Sequence, residues 1–285
     1  MGIINTEDLN YFVGGFIGGG LDHPEGIASG KDGEAYAGGE EGQVYKIDTK
    51  ERTFTQIAST GAFVAGLAQD GNGNIYCCCG PDVVKVTQNG DTSSYPNNKQ
   101  SVLELANYPV FDKNGNLYVS DSGTWKKDDG KIIKISPNGN LDIWSEAVTS
   151  FPNGMALDPT GNFLYVIASL NPPRVEKIRI NSDGTAGKSE KVIELPNTVP
   201  DGLAWDISGN LYISCYIPSK IYKLDTQGNL EILVEDPEHT VLASPTNIAF
   251  CGEKRDILLS ANLGRTHITE IITGVVGMKL EYPKI

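Results

Sequence analysis

Internal repetition is the feature of this 285-residue sequence that most restricts its possible folds. The segment Asn153-Gly-Met-Ala-Leu-Asp-Pro-Thr-Gly-Asn returns as Asp201-Gly-Leu-Ala-Trp-Asp-Ile-Ser-Gly-Asn and as Asn107-Tyr-Pro-Val-Phe-Asp-Lys-Asn-Gly-Asn. Including three weaker copies, the repeat begins at Glu25, Ala65, Asn107, Asn153, Asp201 and Asn247. The spacings are 40, 42, 46, 48 and 46 residues, a period typical of one β-propeller blade that leaves little room for helices.

Each copy is predicted to form four short strands. The first ends at an Asp-x-x-Gly-Asn or Asp-x-Gly-Asn turn, whose Gly and Asn tolerate positive φ. The second, third and fourth resemble Leu117-Tyr-Val-Ser, Ile132-Ile-Lys-Ile and Leu230-Glu-Ile-Leu-Val, which are rich in β-branched and aromatic residues. We therefore predict an all-β fold, a six-bladed β-propeller with four-stranded antiparallel blades around a central channel.

The ends of such a ring must be joined, and the sequence offers a strand for this purpose near its start. Tyr11-Phe-Val can complete the last blade, and this closure removes the exposed sheet edges of an open array. Separate small β domains are disfavoured because no linkers divide the copies. We expect one domain over residues 1–285, with residues 1–20 as lead-in and ring-closing strand.

Charge limits the kinds of partner that this chain could bind. Acidic residues outnumber basic ones by 36 to 23, which gives a formal net charge of −13, and no cluster of Lys and Arg interrupts this excess. Nucleic acid and anionic membrane surfaces are therefore disfavoured as partners. A small-molecule substrate and a bound cation are favoured, and the sequence leaves the oligomeric state open.

Targeting patterns and cysteines indicate the compartment. The first 30 residues contain no basic segment followed by an apolar stretch, and no apolar run reaches the length of a transmembrane helix. The run Cys77-Cys-Cys alternates between the two faces of a strand, so it is not a disulfide framework. No Cys-x-x-Cys pair is present to support a zinc cluster. We expect reduced thiols in a cytoplasmic protein.

Equivalent repeat positions point to a candidate cation site. In a propeller the innermost strand of each blade lines the channel, so the residues just before these strands form a ring. Five of the six positions carry a side-chain oxygen, namely Glu25, Asn107, Asn153, Asp201 and Asn247, and the sixth is Ala65. Asn and Asp also favour turns, but their recurrence at this position favours a hard-oxygen site for Ca²⁺, Mg²⁺ or Mn²⁺.

Four short motifs stand at the starts of repeat copies, namely Ser244-Pro-Thr-Asn-Ile-Ala-Phe-Cys-Gly, Phe151-Pro-Asn-Gly, Val199-Pro-Asp-Gly and Pro24-Glu-Gly. The first is similar to the final-blade signature of the senescence-marker-protein/gluconolactonase family of six-bladed propellers. The others resemble the Pro-Asn-Gly blade, the Pro-Asp-Gly blade and the acidic first blade of that family. The first blade also resembles strictosidine-synthase-like propellers, which work without metal. The four positions that bind metal in the first family, Glu25, Asn107, Asn153 and Asp201, are all retained here, which argues against a metal-free propeller.

The resemblance implies one divalent cation held by Glu25, Asn153 and Asp201, with Asn107 assisting, often through water. Ca²⁺ is the expected ion, with Mg²⁺, Mn²⁺ and Zn²⁺ as alternatives. It also implies a metal-dependent hydrolase of a lactone or related ester, in which the cation polarises the carbonyl group and Asp201 is the general base. His23, two residues before Glu25, is a reserve base.

The chain departs from the family pattern where substrate specificity is expected. Tyr108 follows Asn107 where the family often has Asp, and Ala168 precedes Ser-Leu-Asn where the family usually has Asp. Residues that follow the second strands should return to the face of the ring. The expected substrate-binding residues are Tyr108, Asp121, Ser169, Asn171, Tyr216 and Asn247.

Two other functions are compatible with this sequence. One is an enzyme of the same superfamily recruited to another substrate, such as a phosphotriester or a biosynthetic intermediate. The other is a non-enzymatic ligand-binding propeller, because a fold does not determine a function.

Overall fold

Six four-stranded antiparallel sheets make up the described part of the chain, residues 2–13, 20–96 and 102–285, in a computed structural model. This arrangement confirms the predicted all-β, six-bladed propeller. Most of the glycine-rich lead-in, residues 14–19, lies outside the described residues. In the described ranges no helix has the length and apolar character needed to cross a membrane.

Each blade takes its strands in chain order from the channel outwards, except that the outermost strand of blade 6 is β1 (Asn10–Val13). Blades 1 to 3 consist of β2 (Ile27–Ser29), β3 (Ala35–Gly38), β4 (Gln43–Asp48) and β5 (Thr53–Ser59); β6 (Gly66–Gln69), β7 (Ile75–Cys79), β8 (Asp82–Val86) and β9 (Thr92–Ser94); and β10 (Ala106–Phe111), β11 (Leu117–Asp121), β12 (Lys131–Ile135) and β13 (Leu141–Ser145).

Blades 4 to 6 consist of β14 (Pro152–Leu157), β15 (Phe163–Ala168), β16 (Arg174–Ile180) and β17 (Ala186–Glu194); β18 (Val199–Trp205), β19 (Leu211–Ile217), β20 (Lys220–Leu224) and β21 (Leu230–Glu235); and β22 (Pro245–Cys251), β23 (Ile257–Asn262), β24 (His267–Ile271) and β1. One short 3₁₀ turn, Thr6–Asp8, precedes β1.

In blades 2 to 5 an aspartate anchors the hairpin between the first and second strands. In blade 5, Asp206 Oδ1 accepts the backbone N–H groups of Ser208 at 2.8 Å and Asn210 at 2.9 Å, and Oδ2 accepts Asn210 Nδ2 at 2.7 Å and the Tyr212 hydroxyl at 3.1 Å. Gly209 takes the positive φ of the turn at +83°. The Asn of the repeat therefore serves through its side chain, while the glycine supplies the backbone conformation.

The core is divided into six buried apolar clusters, one between each pair of neighbouring blades. Successive residues of an inner strand serve different clusters, because side chains alternate between the faces of a strand. Ile27 packs towards blade 6, and Ala28 packs towards blade 2. The same alternation separates Cys77 from Cys78, and all five cysteines are buried free thiols.

Candidate metal site at the channel entrance

Backbone irregularities place the oxygen-bearing residues at the start of four inner strands. The strand register shifts between Ala106 and Tyr108, Pro152 and Met155, Pro200 and Leu203, and Pro245 and Ile248. These intervals contain Asn107, Asn153, Asp201 and Asn247. A bulge inserts an extra residue and redirects its side chain, so these four positions differ from ordinary strand positions.

Two glycines allow the inner strands to approach closely beside these residues. A Cβ atom on Gly154 would lie 2.2 Å from the Asp201 carbonyl oxygen, and one on Gly202 would lie 2.7 Å from the Thr246 carbonyl oxygen. Neither distance is compatible with a side chain. The Gly of the Pro-Asn-Gly and Pro-Asp-Gly motifs is therefore required by the spacing of the strands.

Asp201 is the centre of the hydrogen bonds within the ring. Asn153 Nδ2 donates to Asp201 Oδ2 at 3.1 Å, and Asn247 Nδ2 donates to Asp201 Oδ1 at 3.3 Å. Each amide thus directs its N–H group at one carboxylate oxygen. The carbonyl oxygens of both amides, Asn153 Oδ1 and Asn247 Oδ1, have no hydrogen-bond partner.

Four buried oxygens at ring positions lack a hydrogen-bond donor. They are Glu25 Oε2, Asn107 Oδ1, Asn153 Oδ1 and Asn247 Oδ1. Leaving a buried acceptor unsatisfied costs about 1–3 kcal/mol, so this clustering needs a compensating partner. Carboxylate and amide oxygens are the ligands that hard divalent cations prefer, and the residues present therefore fit such an ion.

The two carboxyl groups of the ring are electrostatically strained in the absence of a cation. Burial raises the pKa of Asp201 to about 7, while the hydrogen bonds from Asn153 and Asn247 act in the opposite direction. Burial, and then the charge of Asp201, raises the pKa of Glu25 well above its usual value. A divalent cation would reverse both effects, because a nearby positive charge favours the ionised carboxylates.

Hydroxyl groups tie the strands that carry the ring to their neighbours. Ser122 Oγ donates to the Pro152 carbonyl at 2.8 Å, and Ser169 Oγ donates to the Pro200 carbonyl at 2.7 Å. Each acceptor immediately precedes a ring residue. Thr246 Oγ1 donates to the carbonyl of Glu25 itself at 2.7 Å, which joins blade 6 to blade 1.

These ties assign Ser169 a positioning role that sequence analysis did not foresee. Its hydroxyl is buried and engaged with the strand that carries Asp201, whereas the sequence had suggested contact with substrate. Sequence reasoning also did not foresee the bonds that the Ser122 and Thr246 hydroxyls make to neighbouring blades. The available signal was the hydroxyl residue in Pro-Thr-Asn and in the equivalent positions after the second strands.

The other predicted substrate-binding residues occupy different environments. Asp121 is fully buried, accepts the backbone N–H groups of Glu104 and Leu105, and lies 3.3 Å from Lys131 Nζ, so its carboxylate holds the segment before β10. Asn171 is exposed in the β15–β16 loop, and Tyr216 is partly exposed near the end of β19.

His23 contacts acidic groups rather than the ring. Its Nδ1 lies 3.2 Å from Asp22 Oδ1 and 3.2 Å from Glu40 Oε2. In the ranges that the structure describes, this trio is the one set of three His, Cys, Asp or Glu side chains with metal-ligand spacing. It lies partly exposed on the surface, and its hydrogen bonds, including Glu41 N–H to Asp22, satisfy its members locally.

Tyr108 occupies the channel beyond the ring. It is buried, and burial raises the pKa of its phenol, with further increases from Asp201, Cys251 and Cys78. Tyr108 also belongs to the apolar cluster shared by blades 3 and 4.

Apolar side chains flank the entrance on blades 3 to 5. Trp125 is 52% exposed in the β11–β12 loop and packs edge-on against Phe151 with ring centroids 4.8 Å apart. The loop is fixed beside the ring because Gly130 N–H donates to the Thr149 carbonyl at 3.0 Å. Ile217, at the end of β19, is also 52% exposed.

Comparison with known proteins connects this geometry to one family. The profile of the SMP-30/gluconolactonase/LRE-like region matches residues 39–261. No curated protein matches the chain by sequence.

Many solved structures share the fold, and three of them are compared with this chain. A gluconolactonase from Xanthomonas campestris aligns with a TM-score of 0.75 at 17% identity over 94% of this chain and 88% of its own. A luciferin-regenerating enzyme gives 0.77 at 18% identity, over 93% and 97%. The calcium-binding protein regucalcin from Agrobacterium tumefaciens gives 0.76 at 17% identity, over 93% and 94%. Identities this low establish the fold alone.

Proposed function

The chain belongs to the SMP-30/gluconolactonase/LRE-like family, and from this premise we propose that it is a divalent-metal-dependent hydrolase of a lactone or related ester. The observation that carries the proposal is the cluster of four unpartnered buried oxygens around the Asp201 carboxylate. The names of two structural neighbours, a gluconolactonase and a calcium-binding regucalcin, agree with it.

Glu25, Asn107, Asn153 and Asp201 would hold the cation, and Asn247 would contribute a fifth oxygen. Asn247 matches Asn153 in both respects that matter, because each donates Nδ2–H to Asp201 and each retains a free, buried Oδ1. Five protein oxygens favour Ca²⁺, since Mg²⁺ usually retains several waters and binds few protein ligands. When bound, the cation would polarise the substrate carbonyl and acidify water.

The residues of the chain would supply orientation and proton transfer. Amide N–H groups from Asn153 and Asn247 fix both oxygens of Asp201, and this fixed carboxylate would accept the proton of the attacking water. The ring residues are almost wholly buried, so bulk water has little access to them. Restricted access strengthens electrostatic interactions at the reacting atoms.

The entrance favours a substrate with an apolar portion. Trp125, Phe151 and Ile217 offer apolar surface beside the ring, and the wall residues Asp121 and Ser169 are already engaged within the protein. A polyhydroxylated sugar lactone needs several free polar groups for recognition. We therefore propose an alkyl- or aryl-substituted lactone or ester as substrate.

Hydrolysis of a lactone and ester panel tests the proposal. Protein stripped with a chelator should be inactive, and activity should return with one of Ca²⁺, Mg²⁺, Mn²⁺ or Zn²⁺. Asp201→Asn should lower kcat by about 100-fold or more, and Glu25→Gln should mainly weaken metal binding measured by calorimetry. Asp22→Asn, a carboxylate near the entrance but outside the ring, is the matched control and should retain activity.

Two results would contradict the proposal. Full turnover by Asp201→Asn with metal bound would remove Asp201 as base. Tight metal binding without hydrolysis of any panel member would support the cation site but contradict the hydrolase activity, and it would favour a ligand-binding role.

A further inference from the structure

Ser214, in the second strand of blade 5, lies directly opposite the proposed general base. The strand register shifts between Pro200 and Leu203, so that Asp201 and Gly202 together face the single residue Ser214. Two residues opposite one form a β-bulge, which leaves backbone groups without partners in the ladder. The side chain of Ser214 is therefore placed to satisfy them.

The Ser214 hydroxyl joins this bulge to the next blade. It accepts the Gly202 N–H at 2.9 Å and donates its single proton to the carbonyl of Thr246, the residue immediately before Asn247. The Gly202 carbonyl, at 3.3 Å, is the more distant acceptor. Ser214 is fully buried, so water has no access to replace either bond. Removing this hydroxyl would leave a buried donor and a buried acceptor without this partner.

Thr246 continues the connection to blade 1. Its own hydroxyl donates to the Glu25 carbonyl at 2.7 Å, and its side chain is also fully buried. The hydroxyls of Ser214 and Thr246 together form a hydroxyl bridge. This bridge runs from the peptide that follows Asp201, across blade 6, to the peptide of Glu25. It connects the strands that carry the two carboxylates of the ring.

The bulge itself does not require a hydroxyl at this position. The residues equivalent to Ser214 in the other blades with a shifted register are Ser120, Ile167 and Ala261. Ile167 and Ala261 have no hydroxyl, and Ser120 bonds to Tyr108 in its own blade. Blade 6 thus shows that the fold accommodates alanine where blade 5, which carries the charged ligand, has serine.

The two carboxylates need a constraint of this kind because both are buried and both are acidic. Burial, followed by the charge of Asp201, raises the pKa of Glu25, so the two groups repel each other when both are ionised. Repulsion favours conformations in which the carboxylates move apart and lose the geometry for a shared cation. Neutral hydrogen bonds between their strands oppose this movement.

We propose that the hydroxyl bridge is a positioning device for the cation site, and that it holds the Asp201 and Glu25 backbones at the separation a bound ion requires. Neither hydroxyl is a proposed ligand, and each acts through the peptide groups that it bonds. The inference rests on the cation site of the proposed function and adds residues that set its affinity. Groups that orient metal ligands typically contribute about 10- to 100-fold in affinity.

Calorimetric titration of the metal-free, full-length protein with Ca²⁺ tests the bridge through affinity rather than activity. Ser214→Ala should weaken Ca²⁺ binding by about tenfold. Thr246→Val, which removes the other hydroxyl at nearly constant side-chain shape, should weaken it by a similar factor. Because both hydroxyls belong to one connection, the double variant should lose much less than the product of the two factors. Two unrelated structural defects would multiply instead.

Ser260→Ala is the matched control. Ser260 is equally buried in β23, but its hydroxyl donates to the Ala261 carbonyl of its own strand at 3.1 Å, so Ca²⁺ affinity should be unchanged. Amide exchange at Gly202, followed by NMR in the metal-free protein, should accelerate in Ser214→Ala and stay the same in Ser260→Ala. Chemical denaturation in chelator shows whether each variant is folded, and Thr246→Val decides the matter if Ser214→Ala is not.

The outcomes separate failure of the bridge from failure of the proposed function. Ca²⁺ binding by the wild type with unchanged affinity in Ser214→Ala would overturn the bridge and leave the proposed function standing. An equal loss of affinity in Ser260→Ala, or multiplied losses in the double variant, would also overturn it. If the wild type bound none of Ca²⁺, Mg²⁺ and Mn²⁺, the cation site and the bridge would both be contradicted.

Discussion

At the scale of single residues, the ring carries two buried carboxyl groups, Glu25 and Asp201, whose negative charges repel each other when both are ionised. The pKa of Asp201 is raised to about 7 and that of Glu25 is raised well above its usual value, in both cases chiefly by burial. In the metal-free protein the folded state therefore retains protons that the unfolded chain releases from about pH 4 upwards. Since the folded state binds more protons over this range, its stability falls as the pH rises from about 4 through 7.

This linkage predicts that Glu25→Gln stabilises the metal-free protein. In chelator at pH 8 the variant should exceed the wild type by about 1–3 kcal/mol in free energy of unfolding, and the difference should shrink towards pH 4, where both carboxyl groups are protonated. In saturating Ca²⁺ the order should reverse, because the variant binds the cation poorly. Urea denaturation across this pH range is the measurement.

Glu253→Gln, on an exposed carboxylate, is the matched control and should show neither effect. If Glu25→Gln were less stable than wild type in chelator at pH 8, other groups of the protein would already stabilise the buried negative charge of Glu25. The ring would then have no electrostatic need of a cation.

At the scale of the strand and its turn, one aspartate satisfies several groups at once. Asp206 is fully buried and accepts hydrogen bonds from two backbone amides, the Asn210 side chain and the Tyr212 hydroxyl. Asp225 holds the same kind of turn between β20 and β21, but it is partly exposed and has no tyrosine partner. The pair therefore separates the contribution of the turn from that of the buried network.

Asp206→Ala should lower the free energy of unfolding by about 2–4 kcal/mol, because it leaves the buried Tyr212 hydroxyl and the Asn210 side-chain amide without their hydrogen-bond acceptor. Asp225→Ala should cost much less, since water can replace its bonds. Chemical denaturation of both variants in the same buffer gives the comparison. Equal losses would show that the buried tyrosine bond adds nothing to the turn.

The repeat pattern allowed the strands and the ring positions to be predicted, because blade geometry gives equivalent residues equivalent places. Glu25, Asn107, Asn153, Asp201 and Asn247 were singled out in this way. The environments of other residues depend on contacts between blades that no local pattern reports. The sequence suggested Ser169 as a wall residue but could not show that its hydroxyl bonds the Pro200 carbonyl, because that acceptor belongs to the next blade.

The same limit explains two features that sequence analysis could not foresee. The bulges that redirect Asn153 and Asp201 depend on the register of paired strands, and the sequence shows only the prolines and glycines around them. The C-terminal residues 278–283 have no repeat equivalent, and two of their bonds, from Tyr282 to Ser29 and from Gly71 to Pro283, join residues more than 200 positions apart.

At the scale of the whole molecule, closure of the six-bladed propeller depends on β1. This strand pairs with β24, with Phe12 opposite Ile268, and it joins the start of the chain to its last blade. Phe12 lies in the cluster shared by blades 6 and 1. Arg52 of blade 1 reaches across the same junction to Glu270 at 2.8 Å. Every blade shares its core with two neighbours, so a weakened junction should affect the entire ring.

Phe12 and Tyr11 provide a matched test of this closure, because adjacent strand residues face opposite ways. Phe12 is 2% exposed, whereas Tyr11 is 49% exposed and packs on His267. Phe12→Ala should lower the free energy of unfolding by about 3–5 kcal/mol, and Tyr11→Ala by about 1 kcal/mol or less. Both variants should unfold in one transition in chelator, because no blade has a core of its own. An early partial transition in Phe12→Ala alone would instead show that blade 6 can separate while the remaining blades stay folded.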